Sequence, residues 1–245
     1  MSLGTVRTCT HCTHLIILAL DTTTRGGSVA VTDGERVLAV LDGDASRTHG
    51  ERLPGELARA LDQAGVTRDR IDLLAVATGP GAFTGLRIGL AAMQGLAMTL
   101  GKPVIGVSAL DALAEQVDDR DVIVVPWMDA QRGDVFATVI DRSTGTALEV
   151  PTAASPQAIL ETWRAHLAGQ PVIFIGDAVM RDAAIIDQGA ERRWERRAPA
   201  PLAPQIALIA NRRAARGETG APHTLEPIYV RRPDAEIERE RRKQS

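Results

Sequence analysis

The segment Gly79-Pro80-Gly81-Ala82-Phe83-Thr84-Gly85-Leu86-Arg87-Ile88-Gly89 constrains this chain more than any other stretch. It follows an apolar, strand-like run, Leu73–Ala77, and it opens a long apolar helix pattern that reaches Leu100. Glycines on either side of a proline let a backbone turn sharply and approach another group closely. Thr84 reads as the helix N-cap, leaving the first-turn N–H groups pointing toward the strand end. A strand, a glycine-rich turn and a helix N-terminus form an anion-binding geometry, so the first reading is a phosphate cradle.

The helix itself argues for a second reading. A surface helix carries one apolar stripe and one polar face. Here Leu86, Leu90, Met93, Ala97 and Leu100 fill one side, and Ile88, Ala91, Ala92, Leu96 and Met98 fill much of the rest. Gly85, Gly89 and Gly95 are each costly in an exposed helix, by about 1 kcal/mol relative to alanine. They make sense where another backbone packs closely. Burial wholly inside the chain's own domain explains the pattern, and so does burial between a sheet and a partner's helix. Arg87 stands alone in the first turn, where the macrodipole disfavours a cation. It reads equally as facing an anion or an acidic partner, or as lying out along the surface.

The flanking pattern gives the fold. Leu15–Leu20, Ser28–Val31 and Val37–Leu41 read as three antiparallel strands separated by Arg25-Gly26-Gly27 and Asp33-Gly34. His49–Ala64 has helical spacing and stops at Gly65. The strand 73–77, the helix from Thr84, a strand at Val104–Val107 and a helix from Ser108 follow. The pattern then restarts with Val122–Trp127, an alternating Val135–Ile140, a short Leu148–Val150, a helix at Pro156–Leu167, and a buried strand at Val172–Ile175. Asp129 stands 108 residues after Asp21 at the same place in the pattern. This predicts two duplicated α/β lobes, each a mixed sheet flanked by helices. A helix at Pro204–Arg216 and a mixed-charge tail, Asp234–Lys243, close the chain.

Composition narrows the function classes. A net charge of −3 and 3% aromatic residues offer neither a global pull toward nucleic acid nor many stacking platforms. The two cysteines, Cys9 and Cys12, imply no disulfide framework and point to a reducing cytoplasm. Cys9-Thr10-His11-Cys12-Thr13-His14 contains zinc-ligand types, but its spacing is too cramped for a finger and no second ligand pair follows. Residues 1–14 read as a disordered extension without the signature of a signal peptide. The run Leu86–Leu100 is shorter than a membrane span, and no membrane association is expected. No two histidines lie four apart, and no cysteine or serine triad stands out, so no catalytic residue and no metal site is assigned.

These pieces together identify a resemblance. Leu18-Ala19-Leu20-Asp21-Thr22-Thr23 with Ser28–Val31, the Gly79–Gly89 segment, Asp129-Ala130-Gln131-Arg132 and Pro227-Ile228-Tyr229-Val230-Arg231 resemble the TsaB (YeaZ) family over about Leu15 to Asp234. The N-terminal fourteen residues have no counterpart there, and the family more often carries a second basic residue where Gln131-Arg132 stands. The resemblance implies the duplicated ribonuclease H-like lobes of the actin/Hsp70-like ATPase fold. It implies an N-terminal lobe at 15–118, with 226–233 packing back on it, and a C-terminal lobe at 119–225. It implies a non-catalytic subunit that pairs with the transferase TsaD and works with the ATPase TsaE. Their joint product would be threonylcarbamoylated adenosine 37 in tRNAs reading ANN codons, with tRNA met only through the complex.

The partner contacts implied are Leu86, Leu90, Met93 and Ala97, and the isolated chain can homodimerise through the same surface. Arginine at Leu90 or Met93 is therefore expected to abolish pairing while the fold survives. The loop motif implied is Gly79, Pro80, Gly81, Phe83, Thr84, Gly85 and Arg87. Asp21, Thr22 and Thr23 correspond to the first phosphate turn of actin-like ATPases. Alternatively they only cap a turn. No cofactor is required, with room for weak ATP or ADP binding. The competing function is an autonomous nucleotide-dependent phosphotransferase or ATPase of the same fold. A peptidase reading finds no metal pair or nucleophile to support it.

Overall fold

A computed structural model describes residues 14–189 and 193–231. Cys9, His11, Cys12 and the tail Asp234–Lys243 therefore lie outside the described residues. The described residues divide into two compact units, residues 14–116 with 200–227, and residues 117–189 and 193–199 with 228–231.

The first unit begins with β1 (Ile16–Asp21), β2 (Ser28–Asp33) and β3 (Arg36–Asp42), an antiparallel meander. Then come α1 (His49–Ala64), β4 (Leu73–Gly79), α2 (Phe83–Leu100), β5 (Val104–Ser108) and α3 (Ala109–Ala114). The sheet order is β3-β2-β1-β4-β5, with β1, β4 and β5 parallel. Every residue of β1 and β4 is buried. Strands covered on both faces read as continuous apolar runs, which is why these two were clear in the sequence. One face of the sheet supplies Leu18, Leu20, Val29, Val31, Leu74 and Val76 to a core completed by Leu53 and Leu61 of α1 and by Leu90, Met93 and Ala97 of α2.

The second unit repeats this plan. It contains β6 (Ile123–Asp129), β7 (Val135–Ala137), β8 (Ile140–Asp141), β9 (Thr146–Ala147), β10 (Thr152–Ala154), α4 (Pro156–Thr162), α5 (Arg164–Leu167), β11 (Val172–Ile175), α6 (Ala183–Gly189) and β12 (Trp194–Arg197). The main sheet runs β10-β7-β6-β11-β12, with β8 and β9 as a side ribbon on β6. Strand order and direction match the first sheet, so the topology bears out the duplication read from the spacing of Asp21 and Asp129. Trp127 and Phe174 pack edge to face, with centroids 5.6 Å apart, at the centre of this core.

Several sequence expectations need correction. The late helix, α7 (Ala203–Ala215), belongs to the first unit, where it lies against β1, β2, β4 and β5 and its Ala203 N–H donates to Ser28 Oγ. The expected lobe at 119–225 therefore ends at Pro199. Residues 228–231 group with the second unit, where Arg231 donates to Asp134 and to the Ala130 carbonyl. Leu148–Val150 is not a strand but the link between β9 and β10. The helix expected over 156–167 breaks at Trp163, whose backbone leaves the helical region at φ −94° and ψ 6°. Thr84 is not the N-cap of α2. Ala82 holds that position, without a side-chain hydrogen bond, and Thr84 is an exposed residue of the first turn.

Candidate functional site

The glycines of the 79–89 motif explain themselves through their neighbours. Gly85 and Gly89 are four residues apart on α2 and share one face, and Gly81 lies just before its N-cap Ala82. A Cβ on Gly81 would sit 2.6 Å from Thr23 Cβ. One on Gly85 would overlap the Thr22 carbonyl oxygen, and one on Gly89 would overlap Thr22 Oγ1. The Ala82 N–H donates to the Thr23 carbonyl at 2.8 Å. Helix α2 is thus docked, backbone against backbone, on the turn that leaves β1. Gly95 differs, because a Cβ there would meet nothing within 4 Å. Of the three helix glycines, two serve a contact inside the chain and the third lies open.

That docking answers whether Asp21, Thr22 and Thr23 fit a phosphate. All three are buried. One Asp21 oxygen accepts both the Thr23 N–H, at 2.8 Å, and the Thr23 hydroxyl, at 2.6 Å, which is the geometry of a turn cap. Thr22 Oγ1 is buried against Gly89 with no hydrogen-bond partner among the described residues. Asp21 and Thr23 thus have the hydrogen bonds of a turn cap, the alternative the sequence offered for them. The motif builds a helix dock where the sequence suggested a phosphate cradle.

A buried ion pair holds the same turn from the other side. Arg52 donates to both oxygens of Glu56, at 2.7 Å each, one helical turn along α1. Its other terminal nitrogen donates to the carbonyls of Arg25 and Gly26 and to His49 Nδ1. Gly43 leaves the room this guanidinium needs. Since His49 Nδ1 accepts from Arg52, the ring proton sits on Nε2 and is donated to the Thr24 carbonyl at 3.0 Å. His49 is therefore a tether of the turn. The signal for the pair was present: opposite charges four apart, on the face that also carries Leu53 and Ala60.

Burial holds the His49 pKa below its ordinary 6.5, opposed by the Thr24 carbonyl and reinforced by Arg52. The unfolded chain consequently binds more protons between the two values, so stability is complete above about 6.5 and falls as the pH drops through the folded value. A His49→Gln variant should lose less stability than the parent between pH 7 and pH 5 in denaturant titrations. Equal losses would remove His49 from the pH dependence.

Helix α2 presents two different faces. Leu86, Leu90, Met93 and Ala97, the residues implied as partner contacts, are all buried inside the first unit. They are core, and a partner cannot reach them. The exposed face carries Thr84, Arg87, Ala91, Gly95, Met98 and Thr99, flanked by half-buried Ile88, Ala92 and Leu96. Met98 is 73% exposed. The guanidinium of Arg87 lies 3.9 Å above the Phe83 ring, a cation–π contact one turn along the helix. From Ile88 to Gly101 the helix has no charged residue.

In the second unit the strand ends gather charge. Asp129 and Asp182 are both paired with Arg181, and Asp182 also accepts from Trp127 Nε1 at 2.8 Å. Asp177 accepts the Asp129 N–H at 2.9 Å. Burial chiefly raises the Asp177 pKa, with the Asp129 charge adding to it. The described histidines sit apart: His14 beside Asp33, His49 on the 24–27 turn, His166 beside Glu149, and His223 at the Pro222–Thr224 turn. Among the described residues no three His, Cys, Asp or Glu side chains are grouped to hold a metal ion.

Comparison with known proteins places this geometry. A family model described as "TsaD: tRNA N6-adenosine threonylcarbamoyltransferase" matches residues 40–239. The tRNA threonylcarbamoyladenosine biosynthesis protein TsaB of Escherichia coli is 31% identical over 233 residues, covering 88% of this chain and 94% of that protein. Its Bacillus subtilis namesake is 26% identical, covering 91% and 96%. The structure of YeaZ from Pseudomonas aeruginosa superposes with a TM-score of 0.72 at 27% identity, over 88% of this chain and 99% of that one. Two topologically equivalent mixed sheets, a helix docked on the first turn and full-length similarity to these proteins show that the chain belongs to the TsaB (YeaZ) family, with the duplicated actin/Hsp70-like ATPase fold, and is involved in threonylcarbamoyladenosine biosynthesis.

Proposed function

We propose that this chain is a non-catalytic subunit that binds a TsaD-type transferase and supports threonylcarbamoylation of adenosine 37 in tRNAs reading ANN codons, together with a TsaE-type ATPase. The observation that carries the reading is the exposed face of α2. It offers Ala91, Gly95 and Met98 at its centre, half-buried aliphatic residues at its edges, and no charge for fourteen residues, Ile88 to Gly101. An uncharged helix face with small residues and one prominent methionine suits close packing against a second helix. The partner proposed is the transferase, whose family model spans most of this chain. A second copy of this chain is the other occupant that such a face can accept. No helix among the described residues is long and apolar enough to cross a membrane.

Met98→Arg should weaken pairing strongly while leaving the melting temperature unchanged. A central interface anchor contributes about 2 kcal/mol, or roughly a 30-fold rise in Kd by titration calorimetry against the purified transferase. Unchanged affinity would place the interface elsewhere. Loss of self-association alone, with transferase binding intact, would assign the face to a homodimer.

A further inference from the structure

Of the glycines in α2, Gly95 is the one that the chain's own packing does not explain. Gly85 and Gly89 make room for Thr22. Gly95 lies on the exposed face, and a Cβ added there would meet nothing within 4 Å. Its backbone is helical like that of its neighbours, so no left-handed turn demands a glycine. Alanine is the better helix former at such a position. The isolated chain is therefore less stable with glycine at 95 than it needs to be, and the missing methyl leaves a notch on the helix surface.

The polar side chains around this notch turn their donors inward. Between Ile88 and Gly101 the only polar side chains are Gln94 and Thr99. The Gln94 amide donates to the carbonyls of Pro222 and Leu225, at 3.0 and 3.1 Å. The Thr99 hydroxyl donates one turn back, to the Gly95 carbonyl, at 2.8 Å. Both donors are used inside the chain, so the notch is chemically apolar although it is bordered by an amide and a hydroxyl. Three residues on, Met98 stands 73% exposed beside it. A notch next to a tall, flexible apolar side chain is the relief into which the ridge of a second helix packs, with axes about 8–10 Å apart.

We propose that Gly95 is the point at which a helix of the TsaD-type transferase crosses α2, its ridge set into the notch and Met98 packed along its flank. Glycine is required there because a methyl at 95 would hold the two helices apart. The occupant is the transferase, so the inference rests on the reading above. The transferase family model matches residues 40–239, α2 included, so that partner carries a counterpart of this helix. The chemistry of the notch agrees with an apolar occupant. An RNA backbone needs uncompensated cations, and the stretch from Ile88 to Gly101 has no charge at all. A dry contact between helices needs only complementary shape and buried apolar surface.

The test uses the full chain and the purified TsaD-type transferase of the same organism. Thermal melts, calorimetric titration against the transferase and sedimentation of the chain alone are run on the parent, Gly95→Ala, Gly95→Leu and Met98→Arg. Gly95→Ala should raise the melting temperature and yet weaken transferase binding about fivefold. Gly95→Leu should weaken binding more than about thirtyfold, with a melting temperature no lower than the parent's. A glycine with a role only in the fold would not move the two readouts in opposite directions. Unchanged or tighter binding in both Gly95 variants, with Met98→Arg still weakening it, overturns the inference and leaves the assembly reading standing. A lower melting temperature for Gly95→Ala overturns it by giving the glycine a part in the fold. Lost self-association with intact transferase binding overturns it in favour of a second copy of the chain. If the parent does not bind the transferase, the assembly reading fails and the inference falls with it.

Discussion

Met93→Arg should leave the first unit unfolded, with no cooperative thermal transition by circular dichroism. Met93 is fully buried among Leu18, Leu20, Val76 and Leu90. Arginine there must either bury an unpaired charge or lever α2 away from the sheet. Loss of more than about 4–5 kcal/mol follows from either route, comparable to the whole stability of a small domain. The comparison that gives this meaning is Met98→Arg, five residues along the same helix, where the side chain already stands in solvent. Surface changes of that kind stay within about 0.5 kcal/mol. A Met93→Arg chain that melts like the parent would show that α2 is not part of the core. A Met98→Arg chain that fails to fold would show that the exposed face supports the fold itself.

The contrast between Met93 and Met98 also marks what the sequence could convey. Helical spacing grouped Leu86, Leu90, Met93 and Ala97 correctly as one face, because a repeat of 3.6 residues is a local property. Which side of an all-apolar helix meets the sheet is set by the strands, so the face assigned to a partner was the face that builds the core. The strands β1 and β4 were legible because continuous apolar runs record burial on both faces. The edge strands β9 and β10 were misplaced, since short half-exposed strands carry no comparable pattern. Helix α7 was found as a helix but given to the wrong unit. Its contacts reach back to Ser28 across 175 residues, a distance no periodicity spans. At the candidate site, the glycine motif announced a close approach but not to what. The candidates were an anion, a partner or the chain's own turn, and only the positions of Thr22 and Thr23 choose the last.

Alanine at Gly89 tests that choice, and its expected effect is opposite to the one helix propensity gives. Propensity alone makes Gly→Ala in a helix stabilising by about 1 kcal/mol. At Gly95, where the added methyl meets nothing within 4 Å, that gain should appear as a higher melting temperature. At Gly89 the methyl overlaps Thr22 Oγ1, and at Gly85 it overlaps the Thr22 carbonyl oxygen. Overpacking of this kind costs about 1–3 kcal/mol, and more where backbone must move. Gly89→Ala should therefore destabilise the first unit, and Gly85→Ala should do so more severely. Thr22→Ala separates the two mechanisms. It removes the hydroxyl that Gly89→Ala strikes, so the double variant should recover at least half of the loss in denaturant titrations. The same change leaves the carbonyl oxygen in place, so it should not rescue Gly85→Ala. Equal rescue of both, or of neither, would mean that α2 is not seated on this turn by its glycines. A stabilising Gly89→Ala would reopen the turn between Asp21 and Gly27 as a site with room for something other than the helix.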